Sequence, residues 1–345
     1  MTDLHLAETV ELGQDAQRGN LLGVQPYLTS DDYASPETLR ARLGGYMRAA
    51  GEKGWLSART VVVFPEYIGT WLVSAAEGLA LARAPTIAVA MRRLALRHAP
   101  AFALALLTAQ EKDKVSASLF RMKAGRLAAD YQAVFGGLAR EFGVTVVAGS
   151  ILLPAPEVRD RHITAGHGPL YNTSAVFRPD GSPYASLVRK IYPTSAEQPF
   201  VTAASVADLP VFETPAGRLG VLVCADSWYP APYSRLKDLG AEAVVVPSYI
   251  SVNGLWDKPW GGYDGAPAPA DVDPGDVGRL TEGQAWRKYA LAGRLQQAGA
   301  AAGLNVFLRG ALWDAGADSG NALAIRGDQV TEAASKGAAL LNLWL

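Results

Sequence analysis

Three short apolar runs, each closed by a chemically active side chain, constrain this chain more than any other feature. Gly220-Val221-Leu222-Val223 leads into Cys224, the only cysteine, and then into Ala225-Asp226-Ser227-Trp228-Tyr229-Pro230. Val221 to Val223 read as a short buried strand, and Asp226, Ser227 and Pro230 end that pattern, so Cys224 sits where a side chain can reach a cleft. Alone this says little, because a single cysteine among aliphatic residues is commonly a small buried hydrophobe. Two further runs change its meaning: Val61-Val62-Val63-Phe64-Pro65 ends on Glu66, and Ser186-Leu187-Val188-Arg189 ends on Lys190. A thiol is a weak nucleophile until it loses its proton; a nearby ammonium favours the thiolate, and a carboxylate can accept the proton. Glu, Lys and Cys together make an acyl-transfer site that needs no histidine.

On these residues the chain resembles the nitrilase superfamily of carbon–nitrogen hydrolases. Phe64-Pro65-Glu66 matches its glutamate motif, Arg189-Lys190-Ile191-Tyr192-Pro193 its lysine motif, and Cys224-x-Asp226 with Pro230 its cysteine motif, in the family's order. Leu22-Gly23-Val24-Gln25, Val147-Ala148-Gly149-Ser150, Leu170-Tyr171-Asn172-Thr173 and the stretch from Gly240-Ala241-Glu242 to Pro247-Ser248 extend the likeness over residues 20–335. The resemblance implies an α/β fold, a four-layer α-β-β-α sandwich, that pairs into a homodimer or larger homo-oligomer. It implies Cys224 as nucleophile, Glu66 as general base and later acid, and Lys190 as the cation facing the oxyanion, with the Ala225 backbone N–H as a second donor. Glu197, seven residues after Lys190, is the natural second active-site glutamate. The implied activity is hydrolysis of a non-peptide carbon–nitrogen bond in an amide or N-carbamoyl compound through a thioester.

A nitrile-cleaving enzyme is the alternative within the superfamily. A non-enzymatic binding or assembly module is disfavoured because all three triad residues are present. Amidase-like branches commonly carry an arginine four residues after the cysteine, where this chain has Trp228, and nitrilases carry Trp-Glu directly after it, where this chain has Ala225-Asp226. Tyr67, Tyr192, Trp228 and Tyr229 adjoin the triad, so an aromatic pocket for an apolar or aromatic acyl group is expected.

At 345 residues with 49% hydrophobic content, the chain can bury one large α/β core. A net charge of −1 argues against nucleic acid as a partner and leaves a small-molecule substrate. One cysteine excludes an intrachain disulfide framework, and the first twenty residues lack a basic start and apolar run, so a cytoplasmic location is expected. No stretch reaches the roughly 18 apolar residues that suggest a membrane span. The closest approach, Ala99 to Ala109, reads as a buried or partner-facing helix. His162 and His167 share a polar loop with no third ligand nearby, so neither a metal nor a cofactor is expected. Serine-elbow, P-loop, dinucleotide and zinc-helix signatures are missing.

In chain order, residues 1–19 read as an N-terminal extension, 20–335 as the hydrolase domain, and 336–345 as a tail. Asn20 to Tyr27 reads as a strand and Asp31 to Gly51 as a helix capped by Ser30. Residues 115–141 carry helical spacing, Thr145 to Leu153 and Tyr171 to Phe177 read as strands, and Ala285 to Ala302 as a helix. Ser319 to Ile325 followed by Arg326-Gly327-Asp328 reads as a closing hairpin. Two insertions stand out. Residues 70–112 are helical and start directly after Glu66, which suggests a position at the mouth of the site. Residues 249–285 carry Tyr249, Trp256, Trp260 and Tyr263 among many Gly, Pro and Asp, and read as a partial cover on the pocket.

Overall fold

The structure, a computed structural model, describes residues 3–345. Its frame is two six-stranded sheets packed face to face. Across the first sheet the strands run Leu6–Leu12, Ala338–Trp344, Asn20–Gln25, Thr60–Val63, Thr145–Val147 and Val176–Phe177. Across the second they run Val211–Thr214, Gly217–Val221, Ala243–Ser248, Ala302–Phe307, Ala322–Arg326 and Gln329–Ala333.

The period-2 alternation of strand side chains explains the layers. Leu21, Val61, Val63, Leu341 and Leu343 point inward against Leu304, Val306 and Leu323 of the second sheet. Leu22, Val24, Val62 and Leu340 point outward against helices Pro36–Glu52 and Ala124–Phe142, through Leu39, Leu43, Tyr131 and Leu138. Helix Pro230–Asp238 and the turns from Glu282 to Ala298 cover the other outer face, completing the four layers. Gly23 lies where the sheets come closest, since a Cβ there would meet Val306 Cγ1 at 2.8 Å.

The ends of the domain differ from expectation. Residues 6–12 are not an extension outside the domain, and residues 338–344 are not a tail. Both are strands of the first sheet, with Ala338–Trp344 parallel to Leu6–Leu12 on one side and antiparallel to Asn20–Gln25 on the other. Burial is the reason: Ala338 to Leu343 are all inaccessible, and their backbone groups must find ladder partners.

Smaller differences have local causes. The first long helix starts at Pro36 rather than Asp31, because the Ser35 hydroxyl accepts from Thr38 N (3.1 Å) and Pro36 suits the first turn. Residues 115–141 divide into Lys114–Arg121 and Ala124–Phe142, and residues 285–302 into the end of helix Glu282–Tyr289 and the short turns Leu291–Arg294 and Leu295–Ala298, with Ala302 opening a strand. The strand expected over 145–153 is interrupted at Ala148 to Ser150 and resumes as Ile151–Pro154. The closing hairpin forms as expected, Ala322–Arg326 with Gln329–Ala333. The Ala99 run becomes helix Ala99–Thr108, and among the described residues no helix is long and apolar enough to cross a membrane.

Candidate active site

Glu66 and Cys224 follow the C-terminal ends of two parallel strands, Thr60–Val63 and Gly217–Val221, one from each sheet. That is where open α/β sheets expose side chains to a crevice. Lys190 follows the short strand Val188–Arg189, which pairs with Leu170–Ser174 beside the first sheet.

Two backbone features aim the side chains. Cys224 has φ of 49° and Tyr67 φ of 62°, left-handed values that cost a non-glycine residue roughly 1–2 kcal/mol and turn the chain sharply away from the strand line. Beneath the Glu66 turn, Gly149 sits at φ of 63°, and a Cβ there would lie 2.0 Å from the Pro65 carbonyl oxygen. The interruption at Ala148 to Ser150 is therefore what lets the Glu66 turn settle, and the Ser150 hydroxyl then accepts from Tyr67 N at 2.9 Å.

The polar groups form one closed network. Lys190 Nζ donates to Glu66 Oε1 at 2.8 Å and to Glu197 Oε2 at 2.6 Å, with all three residues at most 5% exposed. Asn172 Nδ2 bridges the same two carboxylates, 2.9 Å from Glu66 Oε1 and 3.0 Å from Glu197 Oε1. Glu197 also accepts from the Tyr67 hydroxyl (2.5 Å) and from Thr194 N (2.8 Å). Asp226 joins the cysteine and lysine loops, accepting from Ile191 N and Tyr192 N through Oδ1 (2.9 and 2.7 Å) and from Val223 N through Oδ2 (3.2 Å).

Burial and charge set the protonation states. Burial would lower the Lys190 pKa, yet the charges of Glu197 and Glu66 outweigh it and hold the ammonium well above the ordinary lysine range. For Glu197 burial is again opposed, here by Lys190 and the surrounding donors, and its pKa falls to about 2. Burial lifts Glu66 above its usual value, Lys190 opposes the lift, and the Glu197 charge adds to it. The Cys224 thiol is pushed well up by burial and by the Glu66 charge, against the pull of Lys190. Lys190 pulls toward the thiolate, as expected, but burial and the Glu66 charge outweigh it, so the protonated thiol is favoured.

The site opens into a cleft of about 640 Å³ that Glu66, Lys190, Glu197 and Cys224 all line. Tyr67, Ala225, Trp228 and Tyr229 line it too. Tyr192 does not; it stacks behind Tyr229 with centroids 3.8 Å apart, because Asp226 holds its backbone and turns the ring away. Residues 249–285 supply much of the wall, including Tyr249, Trp260 and Tyr263. Among the described residues of 70–112 none lines the cleft, and they pack in the outer helical layer, contrary to the position expected from their start after Glu66. A second surface cleft, near Pro156 and Leu187, contains none of these groups. Among the described residues no group of three or more His, Cys, Asp or Glu side chains could hold a metal.

Sequence reasoning passed over Asn172, which lies in the buried network, and Glu282, which lines the cleft. Asn172 lies in a stretch already matched to the family, and a buried amide on a short strand was the available signal. The carbon–nitrogen hydrolase family model matches residues 32–261. This chain belongs to the carbon–nitrogen hydrolase family.

Its architecture is similar to that of a nitrilase-superfamily amidase from Nesterenkonia AN1, seen as a cysteine-to-serine mutant, with a TM-score of 0.55 at 15% identity over 95% of this chain and 92% of that one. A cysteine-to-alanine mutant of the Nesterenkonia sp. AN1 amidase in complex with butyramide aligns with a TM-score of 0.54 at 14% identity, over 96% and 94% of the two chains. At such identity the likeness speaks for the fold. The probable hydrolase YhcX of Bacillus subtilis (strain 168) is 25% identical over 118 residues, 34% of this chain, and the match spans only 20% of that relative's length.

Proposed function

We propose that this carbon–nitrogen hydrolase cleaves a carboxamide or N-carbamoyl substrate through a thioester on Cys224. The observation that carries the reading is the buried Glu66–Lys190–Glu197 network opening, with Cys224, into one aromatic-walled cleft. Glu66 takes the Sγ proton as sulfur attacks the substrate carbonyl carbon. The oxyanion that develops faces Lys190 Nζ and the Ala225 N–H, and one such donor contributes about 3 to 4 kcal/mol when aimed at transition-state charge. Glu66 returns the proton to the leaving nitrogen, the C–N bond breaks, and ammonia or an amine departs. Glu66 then deprotonates the water that cleaves the thioester, releasing the acid and restoring the thiol. Lys190 stays an ammonium throughout because two carboxylates hold it so. The aromatic walls suit an apolar or aromatic acyl portion. The family resemblance further supports a homo-oligomer.

The test is a screen of amides, nitriles and N-carbamoyl compounds, followed by variants. Cys224→Ala should lower kcat by about 10⁴-fold or more, and acid-quenched wild-type enzyme should carry an acyl adduct on Cys224 by intact-mass measurement. Glu197→Gln should lower kcat far more than it changes KM. Turnover surviving in Cys224→Ala would sink the mechanism, and amide released as an intermediate from a nitrile would favour the nitrile-cleaving alternative.

A further inference from the structure

Glu282 lines the same cleft but takes no part in the network around Lys190. It opens helix Glu282–Tyr289, and among the described residues its one side-chain hydrogen bond is that which Oε1 accepts from Trp286 Nε1 at 3.1 Å. Rings connect it to the nucleophile turn: Trp286 meets Trp228 edge-on at 5.0 Å, and Trp228 stacks on Trp260 at 5.7 Å. All three tryptophans line the cleft.

The charges along the cleft point one way. Apart from Glu66, Lys190 and Glu197, its charged lining residues are Asp264 and Glu282, both acidic. Lys190 is already paired with two carboxylates, so an anionic substrate tail would meet no free cation there. Asp264 accepts from the Ser195 backbone N–H at 3.3 Å, which leaves Glu282 as the carboxylate without a backbone donor. Among the described residues no lysine, arginine or histidine forms a salt bridge with Glu282.

We propose that Glu282, walled by Trp228, Trp260 and Trp286, binds an organic cation on the substrate, so that the enzyme selects amides bearing a protonated amine over neutral amides of the same shape. The proposal rests on the carbon–nitrogen hydrolase reading of the same cleft. A carboxylate among aromatic rings is costly to charge alone; an entering ammonium supplies the missing counter-charge, and ring faces attract the same cation. Burial pushes the Glu282 carboxyl up to about 7, as expected of an acid with no cation beside it, and a bound ammonium would bring it down again. Glu282, Trp286, Tyr263 and Asp264 all lie beyond residue 261, outside the stretch that matches the family model, so this end of the cleft is where the chain can differ from its relatives.

A structural role is the competing explanation, because an acid in the first turn also suits the positive end of a helix. That role predicts a change in stability and none in selectivity. The test compares ω-amino amides of increasing chain length with n-alkanamides carrying a methyl group in place of the ammonium, at a pH above about 7. At the best length kcat/KM should favour the cationic amide by about tenfold. In Glu282→Gln, which keeps an oxygen for Trp286, the ratio should fall to one or below, with circular dichroism confirming the fold. Neutral amides cleaved as well as cationic ones at every length, or a preference that persists in Glu282→Gln, would overturn the cation site and leave the hydrolase reading intact. If neither series is cleaved, the carboxamide reading fails. Calorimetry of the same compounds on Cys224→Ala protein then decides the cation site alone: tighter binding of the ω-amino amide supports it, and equal or absent binding overturns it.

Discussion

Two long segments, residues 70–112 and 249–285, differ in where they place their largest apolar side chains. Residues 249–285 contain no more regular structure than the short turns Leu255–Asp257 and Pro274–Asp276 and the start of helix Glu282–Tyr289, yet they bury Trp256 and Trp260. Residues 70–112 are largely helical, yet Leu96, Leu104 and Leu107 stand 68%, 66% and 82% exposed. A helix satisfies its own backbone and can lie on a surface with little anchoring, whereas an irregular segment must borrow partners. The cover borrows many: Arg294 Nη1 to Asp271 at 2.7 Å, Lys288 and Tyr289 to Asp276 at 2.5 Å each, and paired backbone bonds between Trp260 and the Gly278–Leu280 turn. The helical segment is tied down at fewer, scattered points: Lys123 Nζ to Glu77 at 2.7 Å, Trp313 Nε1 to the Leu81 carbonyl at 3.1 Å and Ile87 N to Asp314 at 2.7 Å. Regular secondary structure and tight docking are separate properties here.

The contrast breaks most visibly at single side chains. Trp260→Ala empties a 2% exposed site stacked between Trp228 and Tyr289 and should cost about 3–5 kcal/mol in urea unfolding. Leu107→Ser should stay within about 0.5 kcal/mol. A Leu107 cost approaching that of Trp260 would mean that the exposed face is covered in the assembled enzyme.

A middle-sized effect tests how the cover meets the loop that follows Lys190. Gly265 has φ of +85°, and a Cβ there would lie 2.4 Å from the Pro193 carbonyl oxygen. Gly265→Ala should cost roughly 1–3 kcal/mol and raise KM, because it pushes the cover off the loop that carries Thr194 and Glu197. Unchanged KM with lowered stability would show that the cover can shift without disturbing the cleft.

The smallest effect concerns pH. Burial would raise the Glu77 pKa, but its hydrogen bonds and charge contacts with Lys123 and His98 win, and it lies below the ordinary 4.5. A lowered carboxyl stabilises the fold above 4.5, and that contribution fades as pH falls through the lowered value. The wild type should therefore lose up to about 1 kcal/mol more than Glu77→Gln on acidification, read by urea unfolding at neutral pH and below 4.5. Equal acid sensitivity in the two proteins would show that the Glu77–Lys123 pair adds nothing to stability.

Much of the site was legible because it is written in residue types at strand ends: Glu66, Lys190 and Cys224 each close an apolar run. The aromatic cover was legible from composition, since so many tryptophans and tyrosines need burial. Facing was harder to read. Tyr192 adjoins the lysine motif, but the backbone bonds to Asp226 decide which way its ring turns. Asn172 gave no chemical hint in isolation; its meaning comes from two carboxylates distant in sequence. The helix start was misplaced between two serines five residues apart, and the proline after Ser35 was the deciding sign. The strands Leu6–Leu12 and Ala338–Trp344 were missed because each is defined by a partner at the other end of the chain.

That last pairing also orders events at the ribosome. Asn20–Gln25 and Thr60–Val63 can pair early, but the strand that belongs beside Asn20–Gln25 is not made until residue 344 has been added. Until then one edge of Asn20–Gln25 offers open backbone groups, and Leu6–Leu12 has no neighbour. Closing so distant a contact is slow, and a nascent chain with an unfilled central slot is a target for chaperones and for mispairing with its own copies. The hydrophobic strand of residues 338–344 thus acts as a keystone: the first sheet, and the Glu66 turn at its rim, become complete only when it arrives.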